Sequence, residues 1–174
     1  MPRHIHRNKV LVVPYVLVKN ASNNTVPSFV MVKDRKTKEW GFISGGVKKG
    51  EHSDDAARRE LREETSNILV LPDCFDTHAF VSTYRPPDLL KMDMRRDELV
   101  ISSYNMYVFS LTEAPVDHTH SLHICQHLKH SFSENNEVVD IDLRPYTDYE
   151  NVWSFSDDVY RYMSGSEPAA MCVV

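Results

Sequence analysis

Four glutamates that follow a glycine turn are the residues of this sequence best suited to chemistry. They lie in the segment GGVKKGEHSDDAARRELREETS, residues 45–66, at positions Glu51, Glu60, Glu63 and Glu64. Carboxylate oxygens are the ligands that Mg²⁺ and similar hard cations prefer. Like charges four residues apart on a helix, as at Glu60 and Glu64, destabilise the helix unless they are neutralised. The cluster therefore suggests a bound divalent cation, and a solvated helix with ordinary ion pairs is the alternative.

The element that must position these acids is a helix, predicted over Asp54–Thr65 with Ser53 as its N-cap. At about 100° per residue, three of the acids fall within an arc of roughly 100° on this helix: Glu60, Glu63 and Glu64. Ala56 and Ala57, which should pack on the domain, share that arc. The carboxylates are thus expected beside the packed face of the helix, with most of the basic side chains turned to solvent.

The spacing of these residues resembles the Nudix box, G-x5-E-x7-R-E-U-x-E-E-x-G-U, in which U is a bulky apolar residue. Six fixed positions match at the same intervals, from Gly45 to Glu64, and Leu61 takes the apolar position among them. Two positions depart from the pattern at the predicted helix exit, where Ser66 replaces a glycine and Asn67 an apolar residue. A glycine would ease a left-handed cap there, so the departures concern the local loop shape more than the chemistry.

The resemblance implies both a fold and a reaction. The expected fold is a Nudix-type α/β/α sandwich with a mixed β-sheet, formed by one domain over residues 1–163 and followed by a flexible tail over 164–174. The expected reaction is hydrolysis of a phosphoric anhydride bond in a compound that links a nucleoside diphosphate, or a similar diphosphate, to another group. Mg²⁺ or Mn²⁺ would be the cofactor, because such a cation neutralises phosphate charge and makes water a better nucleophile.

The resemblance also implies which residues would hold the cation. Glu60 and Glu64 correspond to the principal ligands, with Glu63 completing the cluster directly or through water. Glu51 would bind a second cation or its waters, and the carbonyl of Ser44 would serve as a backbone ligand.

Several glutamates compete for the role of general base, the group that takes a proton from the attacking water. Glu137 precedes a predicted strand, at about the place where some Nudix enzymes carry a base outside the box, and it is our first choice. Glu63 and Glu64 are the alternatives inside the box, and Glu134 and Glu137 could instead be ordinary loop residues. Arg59 would hold a glutamate in place rather than contact substrate.

Three features favour capped RNA as the substrate, in which case the reaction is mRNA decapping with release of m7GDP. Trp40-Gly41-Phe42 before the glycine turn, with Lys48-Lys49 after it, is similar to eukaryotic decapping hydrolases. Asn136-Glu137-Val138 is similar to the loop that carries the base in those enzymes. Residues 1–50 hold ten lysines and arginines against two acids, whereas residues 51–174 hold ten against twenty-three. A basic region beside an acidic metal site suits a polyanion.

The candidate substrate-binding residues follow from this hypothesis. Basic side chains would contact phosphates and aromatic side chains would stack on a base; these residues are Lys48, Lys49, Arg95, Arg96, Trp40, Phe42 and Tyr84. Aromatic residues in strands are more often part of the core than stacking platforms.

Two other functions stay open at this point. The first is hydrolysis of a small molecule, such as a dinucleoside polyphosphate, a diphosphoinositol polyphosphate or another nucleotide diphosphate derivative. The second is a binding module that has lost its activity, against which the intact Arg59-Glu60 and Glu63-Glu64 pairs argue. In either enzyme class the partner is a phosphorylated substrate; RNA is one candidate, and neither DNA nor a membrane is expected.

The acidic helix is predicted to lie among strands. Runs rich in apolar and β-branched residues predict six strands: Lys9–Val18, Phe29–Lys33, Trp40–Ser44, Ala79–Tyr84, Leu99–Leu111 and Val138–Leu143. Pro14 favours an edge position or a bulge in the first of them. A closing helix is predicted from a cap at Ser156 to about Met163. This order of elements is typical of an α/β layered fold around a mixed sheet.

Histidines and cysteines suggest no second metal site. Five histidines crowd into a short segment: His118, His120, His123, His127 and His130. They lack the glutamate of an H-E-x-x-H motif and paired cysteines, so they favour a polar helix or loop beside the active site over a zinc site. The three cysteines form no C-x-x-C pair and predict reduced thiols. No apolar run approaches the ~20 residues of a membrane span, and a cytoplasmic location is predicted.

Overall fold

The structure is a computed structural model that describes residues 3–84 and 98–145, together with residues 159, 162 and 163. Within these residues it contains seven strands and two helices. The strands are β1 (Arg3–Lys19), β2 (Thr25–Asp34), β3 (Trp40–Gly41), β4 (Ile43–Gly46), β5 (Asp76–Tyr84), β6 (Glu98–Ser110) and β7 (Val138–Pro145). The helices are α1 (Ser53–Glu64) and α2 (His118–Ser131). The closing helix predicted from Ser156 falls mostly outside the described residues. Residues 159, 162 and 163 are the described residues of this segment, and they are helical.

The strands form one mixed sheet in the order β3-β2-β1-β6-β5, with β4 joined to β1 and β7 joined to β2. β1 and β6 run parallel, whereas the other pairs are antiparallel. Helix α1 packs on β4 and β1, and helix α2 packs on β7 and β1. The α/β fold with a mixed sheet that the sequence predicts is therefore confirmed.

β1 lies at the centre of the sheet because it serves two antiparallel partners in turn. Residues 9–12 of β1 pair with β4, and residues 15–19 pair with β2. Pro14 falls between these two ladders, where its missing N–H breaks neither of them. On the other side of the strand, Pro14 is in register with Phe109 of β6. Of the two alternatives predicted for this proline, an edge position or a bulge, the edge position is wrong, since the change of partner accommodates it in a central strand.

Two local predictions around the glycine turn are corrected. The strand predicted over Trp40–Ser44 is divided, because β3 pairs with β2 whereas β4 pairs with β1. Helix α1 begins at Ser53 itself, with His52 as an N-cap whose side chain makes no capping hydrogen bond. The hydroxyl of Ser53 is engaged elsewhere, since it accepts a hydrogen bond from Asn105 Nδ2 at 2.9 Å.

Alternating residues of β1 supply two cores, one on each face of the sheet. Val10 and Val12 pack on one face with residues of α1, α2 and β7, among them Leu61, Leu128 and Ile141. Leu11 and Val13 pack on the other face with Phe29, Met106 and Val159. Because helical residues cover both faces, the arrangement is the three-layered sandwich expected from the sequence.

Two further expectations concern the redox state of the cysteines and the presence of a membrane-spanning segment. Cys74 is disulfide-bonded, whereas Cys125 carries a free thiol. The reduced state predicted for the cysteines is therefore wrong for Cys74, because spacing along the sequence does not show which cysteines the fold brings together. No helix in the described part of the chain combines the length and the apolar character needed to cross a bilayer.

Replacement of Ile141 by alanine tests the core under the two helices. Ile141 is fully buried on β7, so its truncation should leave a cavity and lower the free energy of unfolding by about 2–5 kcal/mol. Urea denaturation followed by circular dichroism measures the change. Leu122→Ala is the control, since Leu122 on α2 is 47% exposed and its loss should change stability by only about 0.5 kcal/mol. Equal losses in the two variants would contradict this description of the core.

Candidate metal centre

Three carboxylates from two distant parts of the chain meet at one end of α1. Glu60 and Glu64 come from the helix, and Glu137 comes from the loop that leads into β7. One oxygen of each lies within 4.8 Å of an oxygen of the other two. Glu60 and Glu64 are only 6% and 8% exposed, whereas Glu137 is exposed. Two buried oxygen donors and one exposed donor thus lie close together, and such a set suits a hard divalent cation.

Helix α1 turns Glu60 and Glu64 inward because of the residues that share their side of the helix. Ala56, Ala57 and Leu61 are completely buried and belong to the core beneath the helix. Since residues three and four apart lie on the same face, their packing fixes the rotation of the helix and directs both carboxylates toward β4.

Gly45 in β4 lets Glu60 approach the strand. A Cβ at this position would overlap the carboxylate of Glu60, whereas a Cβ at Gly46 would meet nothing within 4 Å. The backbone N–H of Ser44, the preceding residue, donates a hydrogen bond to the carboxylate of Glu64. The edge of β4 therefore positions both helix acids through its backbone.

The electrostatics of the centre show two acids that resist ionisation without a cation. Burial raises the pKa of Glu64 well above its usual range, and the charges of Glu60 and Glu137 raise it further. Burial also raises the pKa of Glu60, although Arg59 opposes this shift. Metal binding requires deprotonated carboxylates. A bound divalent cation would stabilise the ionised forms of Glu60 and Glu64 and so favour their deprotonation at neutral pH.

Arg59 ties the glycine turn to the helix. It donates hydrogen bonds to both carboxylate oxygens of Glu51, at 2.9 and 3.1 Å, to Glu60 at 2.6 Å and to the carbonyl of Gly46 at 2.9 Å. These bonds, first among several causes, lower the pKa of Glu51 to about 2. The side chain of Arg59 thus lies among glutamates, and Glu51 is held by it and by the backbone N–H of Lys48.

The structure places Glu63 differently from the other acids of the segment. Its side chain is 57% exposed and lies 3.4 Å from Arg59 Nη1. Among the described residues the group of acids that could hold a metal ion consists of Glu60, Glu64 and Glu137. The third acid beside the two buried ones is therefore Glu137, whereas the completion of the cluster by Glu63, directly or through water, stays a prediction. The helix rotation that buries positions 60 and 64 leaves position 63 at the rim.

The two candidate bases of the later loop have different surroundings. Glu134 forms an ion pair with Arg35 at 3.0 Å. Glu137 joins the carboxylate group of α1 and lines a small cavity of about 140 Å³. This cavity is also lined by Phe42, Ser44 and Glu64. Phe42 is almost fully buried and packs edge-on against Phe29, with the ring centroids 5.5 Å apart.

The other residues predicted to bind substrate are more scattered. The ring of Trp40 lies near three cationic groups, at 4.9 Å from Arg144, 5.8 Å from Lys129 and 5.9 Å from Lys33. Lys48 and Lys49 are exposed on the turn before α1. Tyr84 ends β5, but its side chain is not described, and Arg95 and Arg96 lie outside the described residues.

Lys9 is a cation near the acidic centre that the sequence analysis did not identify. It is half-buried in β1, opposite Gly46 of β4, and its Nζ lies 6.0 Å from the centre of the Tyr104 ring. Burial lowers the pKa of Lys9. The charge of Arg7 lowers this pKa further, whereas the charges of Glu60 and Glu64 raise it. A lysine at the start of an apolar run, KVLVV, was the available signal, but its approach to Glu60 and Glu64 depends on strand pairing.

The histidine cluster, for which the sequence favoured a polar helix or a loop, forms the helix α2. Within the described residues, no histidine belongs to a group of three converging metal donors. The helix ends at Ser131, shortly before the loop that carries Glu137.

Comparison with known proteins identifies the family. A family model described as the NUDIX domain matches residues 11–163. The chain therefore belongs to the Nudix family, as the spacing from Gly45 to Glu64 predicted. No curated protein matches the sequence.

Solved structures of Nudix proteins share the fold at low sequence identity. An Ap4A hydrolase from Caenorhabditis elegans is 14% identical with a TM-score of 0.55, covering 91% of this chain and 96% of its own. A dihydroneopterin triphosphate pyrophosphohydrolase from Escherichia coli is 14% identical with a TM-score of 0.54, covering 93% and 99%. A bifunctional NMN adenylyltransferase/ADP ribose pyrophosphatase from Francisella tularensis is 15% identical with a TM-score of 0.53, covering 95% of this chain and 42% of its own.

Gly45→Ala tests how closely β4 and Glu60 must approach. The added methyl group would overlap the Glu60 carboxylate, so it should displace one donor and weaken Mn²⁺ binding about 10–100-fold, as loss of a supporting contact does at other metal sites. Isothermal titration calorimetry measures the affinity. Gly46→Ala, next in the strand and with open space for its methyl group, should bind Mn²⁺ like the wild type. Equal affinities in the two variants would show that Glu60 does not need this approach.

The raised pKa of Glu64 predicts a pH dependence of stability without metal. Because the folded state favours protonated Glu64, stability is lost as pH rises from the usual value near 4.5 through the folded pKa. Glu64→Gln cannot ionise, so in EDTA this variant should unfold at a higher temperature than the wild type at pH 8, with a smaller difference at pH 4. Thermal unfolding measures both. The exposed Glu63→Gln should show no such gain, and a less stable Glu64→Gln at pH 8 would refute the sign.

Proposed function

We propose that this protein is a divalent-metal-dependent pyrophosphohydrolase that cleaves a phosphoric anhydride bond in a small nucleotide derivative. The observation that carries the proposal is the convergence of Glu60, Glu64 and Glu137, with one oxygen of each within 4.8 Å of the others. These residues would hold Mg²⁺ or Mn²⁺, with Glu51 available for a second cation or its waters. When bound, the cation supplies neutralisation of phosphate charge and activation of water.

The residues of the chain divide the remaining work. Glu137 is the exposed member of the group and borders the cavity, so it is the best placed to take a proton from water as that water attacks phosphorus. The bridging P–O bond then breaks, and the leaving phosphate takes up a proton from solvent. Glu64, which is buried, and Glu63, which is at the rim, are the alternative bases. Arg59 fixes Glu51 and Glu60 rather than the substrate.

Cationic groups at the border of the acidic centre would hold the phosphates. Lys9 is half-buried and lies close enough to Glu60 and Glu64 for their charges to affect it. Lys48 and Lys49 extend from the turn before α1. Because these lysines lie around the carboxylates rather than among them, a polyanion could contact the lysines and a bound metal ion at the same time.

A small nucleotide derivative is a better proposal than capped RNA. The similar structures are those of enzymes named for Ap4A, dihydroneopterin triphosphate and ADP ribose. Trp40, one of the residues on which the RNA hypothesis rested, has cations around its ring at 4.9–5.9 Å. A binding module without activity is disfavoured because all the acids of the box are present and two converge with Glu137.

Product analysis on a substrate panel tests the proposal. The panel contains Ap4A, ADP-ribose, a nucleoside triphosphate, a diphosphoinositol polyphosphate and cap-labelled RNA, each with Mn²⁺ or Mg²⁺ and with EDTA. We expect metal-dependent hydrolysis of at least one small compound, with kcat/KM lowered about 100-fold or more in Glu64→Gln, because loss of a metal ligand removes transition-state stabilisation. Asp55→Asn, at an exposed acid of the same helix, should retain full activity.

Three outcomes would contradict the proposal. Release of m7GDP from RNA with no turnover of the small compounds would exclude the substrate class. Wild-type turnover by Glu64→Gln would exclude the metal assignment. Binding of a nucleotide without hydrolysis in either metal would favour a binding module.

A further inference from the structure

Ser66 occupies a backbone conformation that favours glycine. It follows α1 directly after Thr65 and has a φ of 54°, in the left-handed region, and Asn67 has a φ of 62°. Such conformations are unfavourable for residues with a Cβ, and asparagine tolerates them better than serine. The Nudix box has a glycine at the position of Ser66. A serine in this place therefore needs a compensating interaction, and strain of this kind is a reason to look for a functional one.

The hydroxyl of Ser66 connects the end of α1 to the loop that carries Glu137. Ser66 Oγ donates a hydrogen bond to the carbonyl of Ser133 at 2.6 Å, and the N–H of Ser133 lies 3.3 Å from the same oxygen as a donor. One side chain thus satisfies both backbone groups of Ser133 across 67 residues of sequence. A glycine could make neither bond.

Asn135 continues the connection toward Glu137. Its Nδ2 donates to the carbonyl of Glu63 at 3.1 Å, one of the last carbonyls of α1, which have no partner within the helix. Its Oδ1 accepts from the N–H groups of Glu137 and Val138 at 2.9 and 2.8 Å. The side chain of Asn135 therefore links the end of the helix that carries Glu64 to the backbone of Glu137.

Arg35, at the end of β2, holds the loop from its other side. Its backbone N–H donates to the carbonyl of Glu137 at 2.8 Å. Its side chain donates to the carbonyl of Asn135 and to Glu134, both at 3.0 Å. Both backbone groups of Glu137 are thus bound, the N–H by Asn135 and the carbonyl by Arg35.

We propose that Ser66 is a positioning residue, which ties the loop of Glu137 to the C-terminal end of α1 and so keeps the Glu137 carboxylate within reach of Glu60 and Glu64. The inference rests on the proposed function, since it assigns to Ser66 the support of that metal centre. Glu137 is exposed, so burial does not hold its side chain, and its position depends on the hydrogen bonds of its loop. The serine at the glycine position of the box is then a specific feature of this chain rather than a lost glycine.

Ser66→Gly separates this role from a purely structural one. Glycine relieves the left-handed conformation, so the variant should unfold at the same temperature as the wild type or at a higher one. Mn²⁺ affinity, measured by electron paramagnetic resonance, should nevertheless fall about 10-fold, which is the effect of losing a contact that supports a ligand. The kcat should fall with KM nearly unchanged. Asn23→Gly is the matched control, because Asn23 also has a positive φ, 61°, but lies in the β1–β2 turn.

A double variant shows whether the effect passes through Glu137. Glu137→Gln should itself weaken Mn²⁺ binding, and Ser66→Gly should add little to that loss if Ser66 acts by placing the Glu137 carboxylate. Wild-type affinity in Ser66→Gly, or an equal further loss in the Glu137→Gln background, would overturn the inference. The proposed function would survive either result, provided that Glu64→Gln still lowers the metal-dependent kcat/KM about 100-fold or more. A wild-type protein that binds no Mn²⁺ would overturn both.

Discussion

Repulsion between two buried carboxylates is the interaction to which the rest of the centre responds. Glu60 and Glu64 lie one helical turn apart and are 6% and 8% exposed, so their charges meet where little water screens them. The pKa of both groups is raised by burial, which means that their ionised forms are unfavourable in the protein alone. A bound ligand of opposite charge would offset this repulsion, and carboxylate oxygens are the donors that hard divalent cations prefer.

The sheet holds these acids in place through its backbone rather than through its side chains. β1 changes partner from β4 to β2 around Pro14, which lets β4 run beside α1 while β2 continues toward β7. On β4, the absent side chain of Gly45 makes room for Glu60, and the N–H of Ser44 contacts Glu64. The backbone groups of β4 have no rotamers of their own to be ordered, so less conformational entropy is lost when Glu60 and Glu64 bind a cation.

The local features of the site could be predicted from the sequence, and the long-range ones could not. Helix α1 and its inward-facing Glu60 and Glu64 follow from periodicity and from the spacing of the box. The position of Glu63 at the rim depends on a rotation of the helix that only packing decides, and a carboxylate arc of about 100° was too coarse to show it. The approach of Lys9 to the acidic centre depends on the pairing of β1 with β4, which no local pattern specifies.

The C-terminal end of α1 and the backbone of Glu137 are held by the same side chain, that of Asn135. The last carbonyls of α1 need donors, and the donor for Glu63 comes from Asn135, in the loop that also carries Glu137. Ser66 adds a second connection at the expense of an unfavourable backbone conformation. Because a helix end and a loop satisfy each other's backbone groups, a change that loosens one moves the other. The hydrogen bonds at the helix terminus thus bear on the position of the third carboxylate, and the serine that departs from the box at its last glycine supplies one of them.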